Sequence, residues 1–364
     1  LMSDYRDEVE AYLTGVFGKP VHLVRILQMG AEPGEKELKG FGYGKPYLID
    51  YILGGELRSS VLSSMKVQKG FGHDTFADRA GIVLWQNMAF NVLPQHVRSL
   101  DAGFFTRSGG LKSAGEADEF FILMDRISGI EYYRDLDRIR DTHFFHPLDV
   151  DRALALSDYL VYIHSQKHDD PVLYHRRIRE LVGSGECIMG LIDSYPKNFK
   201  FYTKKDFERL EKECVGWRWR LHDQVGRLCV VHGDFHPWNL MFRNGVDFTV
   251  LDRSRGEYGE PADDVSCMSL NYLFYSLQKY GKMQGEFQDL FDKFMENYLE
   301  KSGDFEMLNY IQPFYAFRAL VVASPLWYPG LVPDVRRKLF NFIDNVLADD
   351  EFDYKDVNKY LKGR

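Results

Sequence analysis

With 364 residues, 45% of them apolar and 27% charged, the chain is long enough for two packed cores and has the composition of a soluble globular protein. No stretch is apolar long enough to span a bilayer, and a net charge of -8 argues against wholesale binding to nucleic acid, whose phosphates it would repel. The four cysteines (Cys187, Cys214, Cys229, Cys267) are scattered without a CxxC pair, which predicts reduced thiols in a cytoplasmic protein rather than a disulfide framework or a zinc site.

The N-terminal stretch "LMSDYRDEVEAYL" is acidic and amphipathic and does not read as a secretory signal. In residues 1–125 apolar runs then alternate with turn signals, as in a sheet with a helix. "KGFGYGK" is a glycine-rich turn, "PYLIDYIL" and "LRSSVLSSMKV" are strand-like, and "GGE" (Gly54 to Glu56) joins them as a hairpin. "DTFADRAGIVLWQNMAF" spaces Phe76, Ala80, Val83 and Ala89 as one helical face, and "EFFILMDRISG" is expected to be a further strand leading into a connector. After Gly129 the pattern turns helical. "DRALALSDYLVYIHSQKH", "VLYHRRIRELVGSGECIMGLIDSY" and "KKDFERLEKECVGWRWRLHDQVG" are amphipathic, the last with Gly226 as its stop signal. A strand and loop follow at "VVHGDFHPWNLMF", then a turn at Asn244-Gly245, a second strand "FTVLD", and helices to the end. The fold class expected is α+β, with a small β-rich N-terminal lobe over 1–125 and a larger, mainly helical C-terminal lobe over 126–364.

Chemistry concentrates in the loop. Asp234 and Asn239 share it, and Asp252 ends the next strand of the same hairpin, so two carboxylates and an amide meet at one edge of a cleft. Phosphoryl transfer uses such a set: one carboxylate to orient the attacking hydroxyl and accept its proton, and oxygen ligands for the Mg²⁺ that bridges the nucleotide phosphates. His232, Asp234 and His236 at alternate positions also outline a metal cluster, but Pro237 biases His236 to an extended backbone and no second His or Cys cluster supplies the missing ligands.

"HGDFHPWN" followed by "VLDRSRGEYGEPADD" resembles the signature of the aminoglycoside phosphotransferase and choline kinase-like family, small-molecule kinases with a protein kinase-like bilobal fold. The resemblance is specific in the second lobe and loose in the first. It implies Asp234 as the catalytic base or hydroxyl-orienting carboxylate and Asn239 and Asp252 as Mg²⁺ ligands. It implies structural support of the site by His232 and by Asp264, which would accept backbone N–H bonds. Lys66 would reach the nucleotide phosphates, with Lys69 as its near neighbour, and Asp78, or else Asp74, would be its acidic partner where the family usually has Glu. Gly40, Gly42 and Gly44 form GxGxG rather than the GxGxxG of protein kinases, a turn able to bring backbone N–H groups to phosphate. Met124 to Ile127 resembles the hinge whose backbone bonds the base, which leaves ATP and GTP both open. After Asp252 the family commonly continues with Phe-Gly or Trp, whereas this chain has Arg253-Ser254-Arg255, expected to pair with Glu257 or Glu260 or to touch an anionic group.

The acceptor implied is a hydroxyl of a small molecule: an aminoglycoside, another amino sugar or sugar, or an amino alcohol. Trp238, Glu257, Glu260 and Asp263 are candidates to line its site, with Arg318, Trp327 and Tyr328 farther along. A non-catalytic nucleotide-binding scaffold of the same fold is the alternative. A protein kinase is disfavoured because "GEPADD" follows Asp252 too soon for a peptide-docking segment.

Overall fold

The structure, a computed structural model, describes residues 5–30 and 46–364. The glycine turn at Gly40, Gly42 and Gly44 lies outside the described residues. The chain divides into two compact units, residues 1–124 and 125–364.

In the first unit, helix α1 (Arg6–Phe17) precedes strand β1 (Val21–Gln28), and β2 (Tyr47–Leu53) and β3 (Glu56–Leu62) complete an antiparallel sheet of order β1-β2-β3. Gly54 and Gly55 both have positive φ, +60° and +83°, which lets a two-residue turn follow the twist of β2 and β3 and fixes Leu53 opposite Glu56. Val9 and Leu13 of α1 pack on Val21, Ile49, Tyr51 and Leu53 as a small core. Thr75 and Asp78 form a reciprocal capping box that starts α2 (Phe76–Phe90), and a short hairpin, β4 (Gly103–Phe105) with β5 (Leu111–Ser113), follows. Two expectations fail here. The second strand of the hairpin stops at Leu62, short of Lys66, and residues 119–129 form no strand. Phe121 and Leu123 are 92% and 91% exposed. An apolar run becomes a strand only where a ladder partner takes up its backbone groups.

The second unit is helical around two small sheets. In chain order it contains β6 (Ile130–Glu131), α3 (Tyr133–Asp141), α4 (Pro147–His164), α5 (Pro171–Gly183), α6 (Ile188–Ser194) and α7 (Lys204–His222). Strands β7 (Cys229–Val230), β8 (Leu240–Phe242), β9 (Phe248–Val250) and β10 (Tyr258–Gly259) come next, followed by α8 (Pro261–Tyr280), α9 (Gly285–Ser302), α10 (Gln312–Val322) and α11 (Pro333–Leu347). The single helix expected over "VLYHRRIRELVGSGECIMGLIDSY" is two, α5 and α6, broken between Ser184 and Cys187. Likewise α7 ends at His222, before Gly226, which sits in a short 3-10 turn.

Helix α8 is the hub, packing against α3, α9 and α10, while α9 packs on α4 and α10 on α11. From Pro261 to Leu277 every residue of α8 except Asp263 is buried. Two of its buried polar side chains bond within the helix, Ser269 Oγ to Val265 O at 2.7 Å and Asn271 Nδ2 to Cys267 O at 2.8 Å, so burial leaves these donors satisfied. Gly281 ends α8 and Gly303 ends α9, both left-handed. Strands β6, β8 and β9 make one antiparallel sheet with β8 in the middle, and β7 pairs with β10. The loop carrying Asp234 thus leaves one sheet and enters the other, and both its ends are fixed.

Candidate active site

Strand β7 ends at Val230, and the chain turns sharply through Gly233, whose φ is +93°. Its N–H and the N–H of His232 donate to the two oxygens of Asp264, at 2.8 and 2.9 Å. Asp264 lies in the first turn of α8, fully buried, and accepts a third bond from His164 Nε2 at 2.9 Å. His164 belongs to α4 and is held through Nδ1 by Tyr298 OH of α9 at 2.8 Å. Burial pushes the Asp264 carboxyl toward neutrality, but His164 and the backbone N–H groups outweigh it and hold the pKa below the ordinary range. Three helices therefore converge on one turn of loop.

His232 fixes the next step. Its Nε2 donates to Leu251 O at 2.8 Å, because a carbonyl can only accept, and its Nδ1 accepts from Asp234 N–H at 3.1 Å. The neutral ring so ties the loop to the residue before Asp252. Asn239 closes the loop: Nδ2 donates to Asp234 O at 3.0 Å, which leaves Oδ1 as the atom able to face a cation.

Each oxygen of the Asp234 side chain has a nitrogen neighbour, Arg318 on one and His236 on the other, and the side chain remains partly exposed. Arg318 Nη1 of α10 donates to Oδ1 at 2.7 Å, and His236 Nε2 lies 3.3 Å from Oδ2. Burial raises the Asp234 pKa, while His236, Arg318 and Arg255 lower it by more, so the carboxyl sits well below its usual range and stays ionised. Such a carboxylate is a weak base but a firm acceptor for a hydroxyl proton, which suits orientation of an attacking oxygen.

Asp252 lies just beyond β9, exposed, with φ at +56°. A non-glycine residue there stores about 1 kcal/mol of backbone strain, tolerated by Asp better than by most residues. Asp252 and Asn239 are oxygen donors only, a set that suits Mg²⁺, which keeps waters and takes substrate phosphates as its remaining ligands. Among the described residues no group of three or more His, Cys, Asp or Glu is arranged to hold a metal.

Several expected contacts differ. Glu260 does not line a substrate site. It is 2% exposed, paired with Arg227, and caps α8 through Ala262 N–H at 2.5 Å, because a carboxylate at a buried helix start finds its donors there. Arg253 pairs with neither Glu257 nor Glu260 through a carboxylate; its guanidinium donates to Val231 O at 2.9 and 3.0 Å and to Glu257 O at 2.9 Å. Arg255 reaches Cys187 Sγ at 3.0 Å and Glu186 at 3.6 Å. Asp263 is bonded to Arg318 at 2.7 Å, and Arg318 itself is buried. Glu257 is exposed, and Trp238 stacks on Tyr133 with ring centroids 5.2 Å apart. In the first unit, Lys66 is exposed beyond β3, the Asp78 carboxylate accepts from Thr75 N–H at 2.8 Å in the helix cap, Met124 is 68% exposed and Ile127, in the second unit, is half-buried. His164 and the grip of Arg318 on the loop were not foreseen, since neither residue adjoins the motif in sequence and each acts across more than one element.

Residues 111–284 match the model of the phosphotransferase enzyme family. Over that segment the resemblance read from the sequence stands. Among curated proteins none matches the chain. Solved structures similar to it include an amicoumacin kinase in complex with AMP-PNP and Ca²⁺, 15% identical, with 91% of each chain covered and a TM-score of 0.43. A choline kinase from Streptococcus pneumoniae is 12% identical, covering 95% of this chain and 99% of that one at a TM-score of 0.35. A glucosamine kinase in complex with glucosamine, ADP and inorganic phosphate is 14% identical at a TM-score of 0.36 over 60% of this chain, which spans 61% of that kinase's length.

Proposed function

We propose that this chain, whose residues 111–284 carry the pattern of the phosphotransferase enzyme family, is a small-molecule kinase of protein kinase-like fold that uses ATP and Mg²⁺. It moves the γ-phosphoryl group to an acceptor hydroxyl by direct in-line transfer, without a phosphoenzyme. The observation that carries the reading is the ionised, partly exposed Asp234, anchored by Arg318 through Oδ1 with His236 beside Oδ2, in a loop tied by hydrogen bonds to Asn239 and to the residue before Asp252.

In this reading Asp234 Oδ2 accepts a hydrogen bond from the acceptor hydroxyl, aligns its oxygen, and takes the proton as the oxygen bonds to phosphorus and ADP leaves. Asn239 Oδ1 and Asp252 would hold Mg²⁺, which supplies neutralisation of charge on the nucleotide phosphates. Lys66 is the side chain of the first unit proposed to meet those phosphates, and the backbone from Met124 to Ile127 the place for the base. The four cysteines are free and buried, which supports a reducing, cytoplasmic setting, and no helix among the described residues is long and apolar enough to cross a membrane.

Calorimetry of ATP binding with and without Mg²⁺, on the wild type and on Asp252→Ala, is the test. Binding that needs both Mg²⁺ and Asp252 is expected, and ADP release in the presence of hydroxylated amines and sugars would then identify the acceptor class. Metal-dependent binding that survives in Asp252→Ala removes the metal assignment. Nucleotide binding with no ADP release for any acceptor favours the non-catalytic scaffold, which the position of Lys66 outside β3 also suits.

A further inference from the structure

Arg318 is 5% exposed, yet its guanidinium makes three bonds to charged or polar groups of two other elements. Nη1 donates to Asp234 Oδ1 at 2.7 Å, and Nη2 donates to Gly233 O at 2.9 Å and to Asp263 Oδ1 at 2.7 Å. Its Nε is buried without a partner. A buried arginine normally satisfies its donors, so an orientation that leaves one orphaned is set by the groups the other two nitrogens must reach. The cation also lies over the Phe317 ring at 4.3 Å, which limits its lateral freedom.

The three acceptors have different tasks. Gly233 O fixes the loop backbone immediately before Asp234, and Asp234 Oδ1 fixes the rotamer of the carboxylate. Asp263, in the first turn of α8, balances the remaining charge and anchors the guanidinium to the helix that also carries Asp264. A planar fork can hold backbone and side chain of adjacent residues together; an ammonium presents one charge centre and cannot span them equally.

Resting on the kinase reading above, we infer that Arg318 and Asp263 are a positioning pair, which sets the direction of Asp234 Oδ2, the oxygen beside His236, toward the acceptor hydroxyl and contributes neither to nucleotide binding nor to the acceptor contact itself. Arg318 acts through Asp234. Misplacing a reacting group by about 1 Å lowers turnover on the order of 100-fold, and that is the scale expected when the clamp is lost.

The experiment compares wild type, Arg318→Met, Arg318→Lys, Asp263→Asn, Asp234→Asn and the double variant Arg318→Met with Asp234→Asn. The readouts are kcat and KM for the acceptor found by ADP release, Mg-ATP binding by calorimetry, and thermal unfolding. Expected are a kcat about 100-fold lower in Arg318→Met with KM for ATP nearly unchanged, and recovery of about tenfold of that loss in Arg318→Lys, which keeps the charge and is the variant to read if Arg318→Met fails to fold. A smaller loss is expected in Asp263→Asn. The double variant should turn over no more slowly than Asp234→Asn alone, because a residue that acts through another has nothing left to position. Arg318→Lys with wild-type kcat, or losses that multiply fully in the double variant, would overturn the inference. A wild type that binds Mg-ATP but phosphorylates nothing overturns the kinase reading and the clamp with it, whereas an active wild type with indifferent Arg318 variants overturns the clamp alone.

Discussion

The loop from Val231 to Asn239 and the segment from Ser63 to Met124 carry the two halves of the proposed chemistry, and they are built in opposite ways. Around Asp234, side chains of α8 and α10 bond a single loop, and α4 holds the α8 carboxylate that does so. Around Lys66, the strand has already ended, α2 has no buried residue, and the apolar run at Phe121 and Leu123 faces outward. The difference teaches where preorganisation resides. The group that must meet the reacting atom within a fraction of an ångström is over-determined, while groups proposed to meet the nucleotide are left to local structure.

The largest effect expected from breaking the ordered half is on turnover. Asp234→Asn should lower kcat about 1000-fold, roughly 4 kcal/mol in the barrier, with Mg-ATP affinity within about twofold of wild type by calorimetry. A variant with near-normal kcat would remove Asp234 from the reaction. Next, Asp264→Asn should lower unfolding stability by about 3 kcal/mol in urea titrations, since an amide nitrogen would then face a donor from His164, His232 or Gly233 inside the core. A loss under about 1 kcal/mol would mean that the loop does not depend on α8 as described.

Lys66→Met probes the other half. It should raise KM for ATP about tenfold, or 1.4 kcal/mol, at nearly constant kcat, and stability should not move because Lys66 is exposed. The smallest effect sharpens the comparison from a distance. Asp292 of α9 is pushed up from 3.8 to about 6 by burial and then by Glu296 and Asp289. A raised folded pKa favours the protonated form, so its contribution to stability is full below about 3.8 and is lost as pH rises through about 6. Asp292→Asn, which mimics the protonated form, should therefore gain about 1 kcal/mol at pH 8, after allowance for solvent screening, and nothing at pH 3.5. Equal gains at both pH values would show that the effect is not electrostatic.

Legibility in the sequence followed the same division. The motif residues His232, Asp234, Asn239, Asp252 and Asp264 were readable because their geometry is nearly local: a tight turn at Gly233, a hairpin at Asn244-Gly245, and a helix beginning within a few residues of "GEPADD". The Gly54-Gly55 hairpin and the helices α8 and α9, each closed by a glycine, were readable for the same reason. Glu260 misled because an acidic residue beside a motif reads alike whether it faces a ligand or caps a buried helix, and only Arg227, far away in the chain, decides between them. Residues 119–129 misled because a run of apolar residues is compatible with a strand but does not specify the neighbouring strand that must accept it.

By itself, then, the sequence determined the division into a strand-rich and a helical part, the family pattern, and which carboxylates and amide the proposed site is built from. Only the tertiary structure decided what state those groups are in: His164 and the loop backbone keep Asp264 ionised in the core, and Arg318 holds Asp234 by Oδ1 and turns Oδ2 toward His236. The physical reason is range. Backbone preferences and turns are written in neighbouring residues, but the charge state and direction of a buried side chain depend on groups that only folding brings within hydrogen-bonding distance.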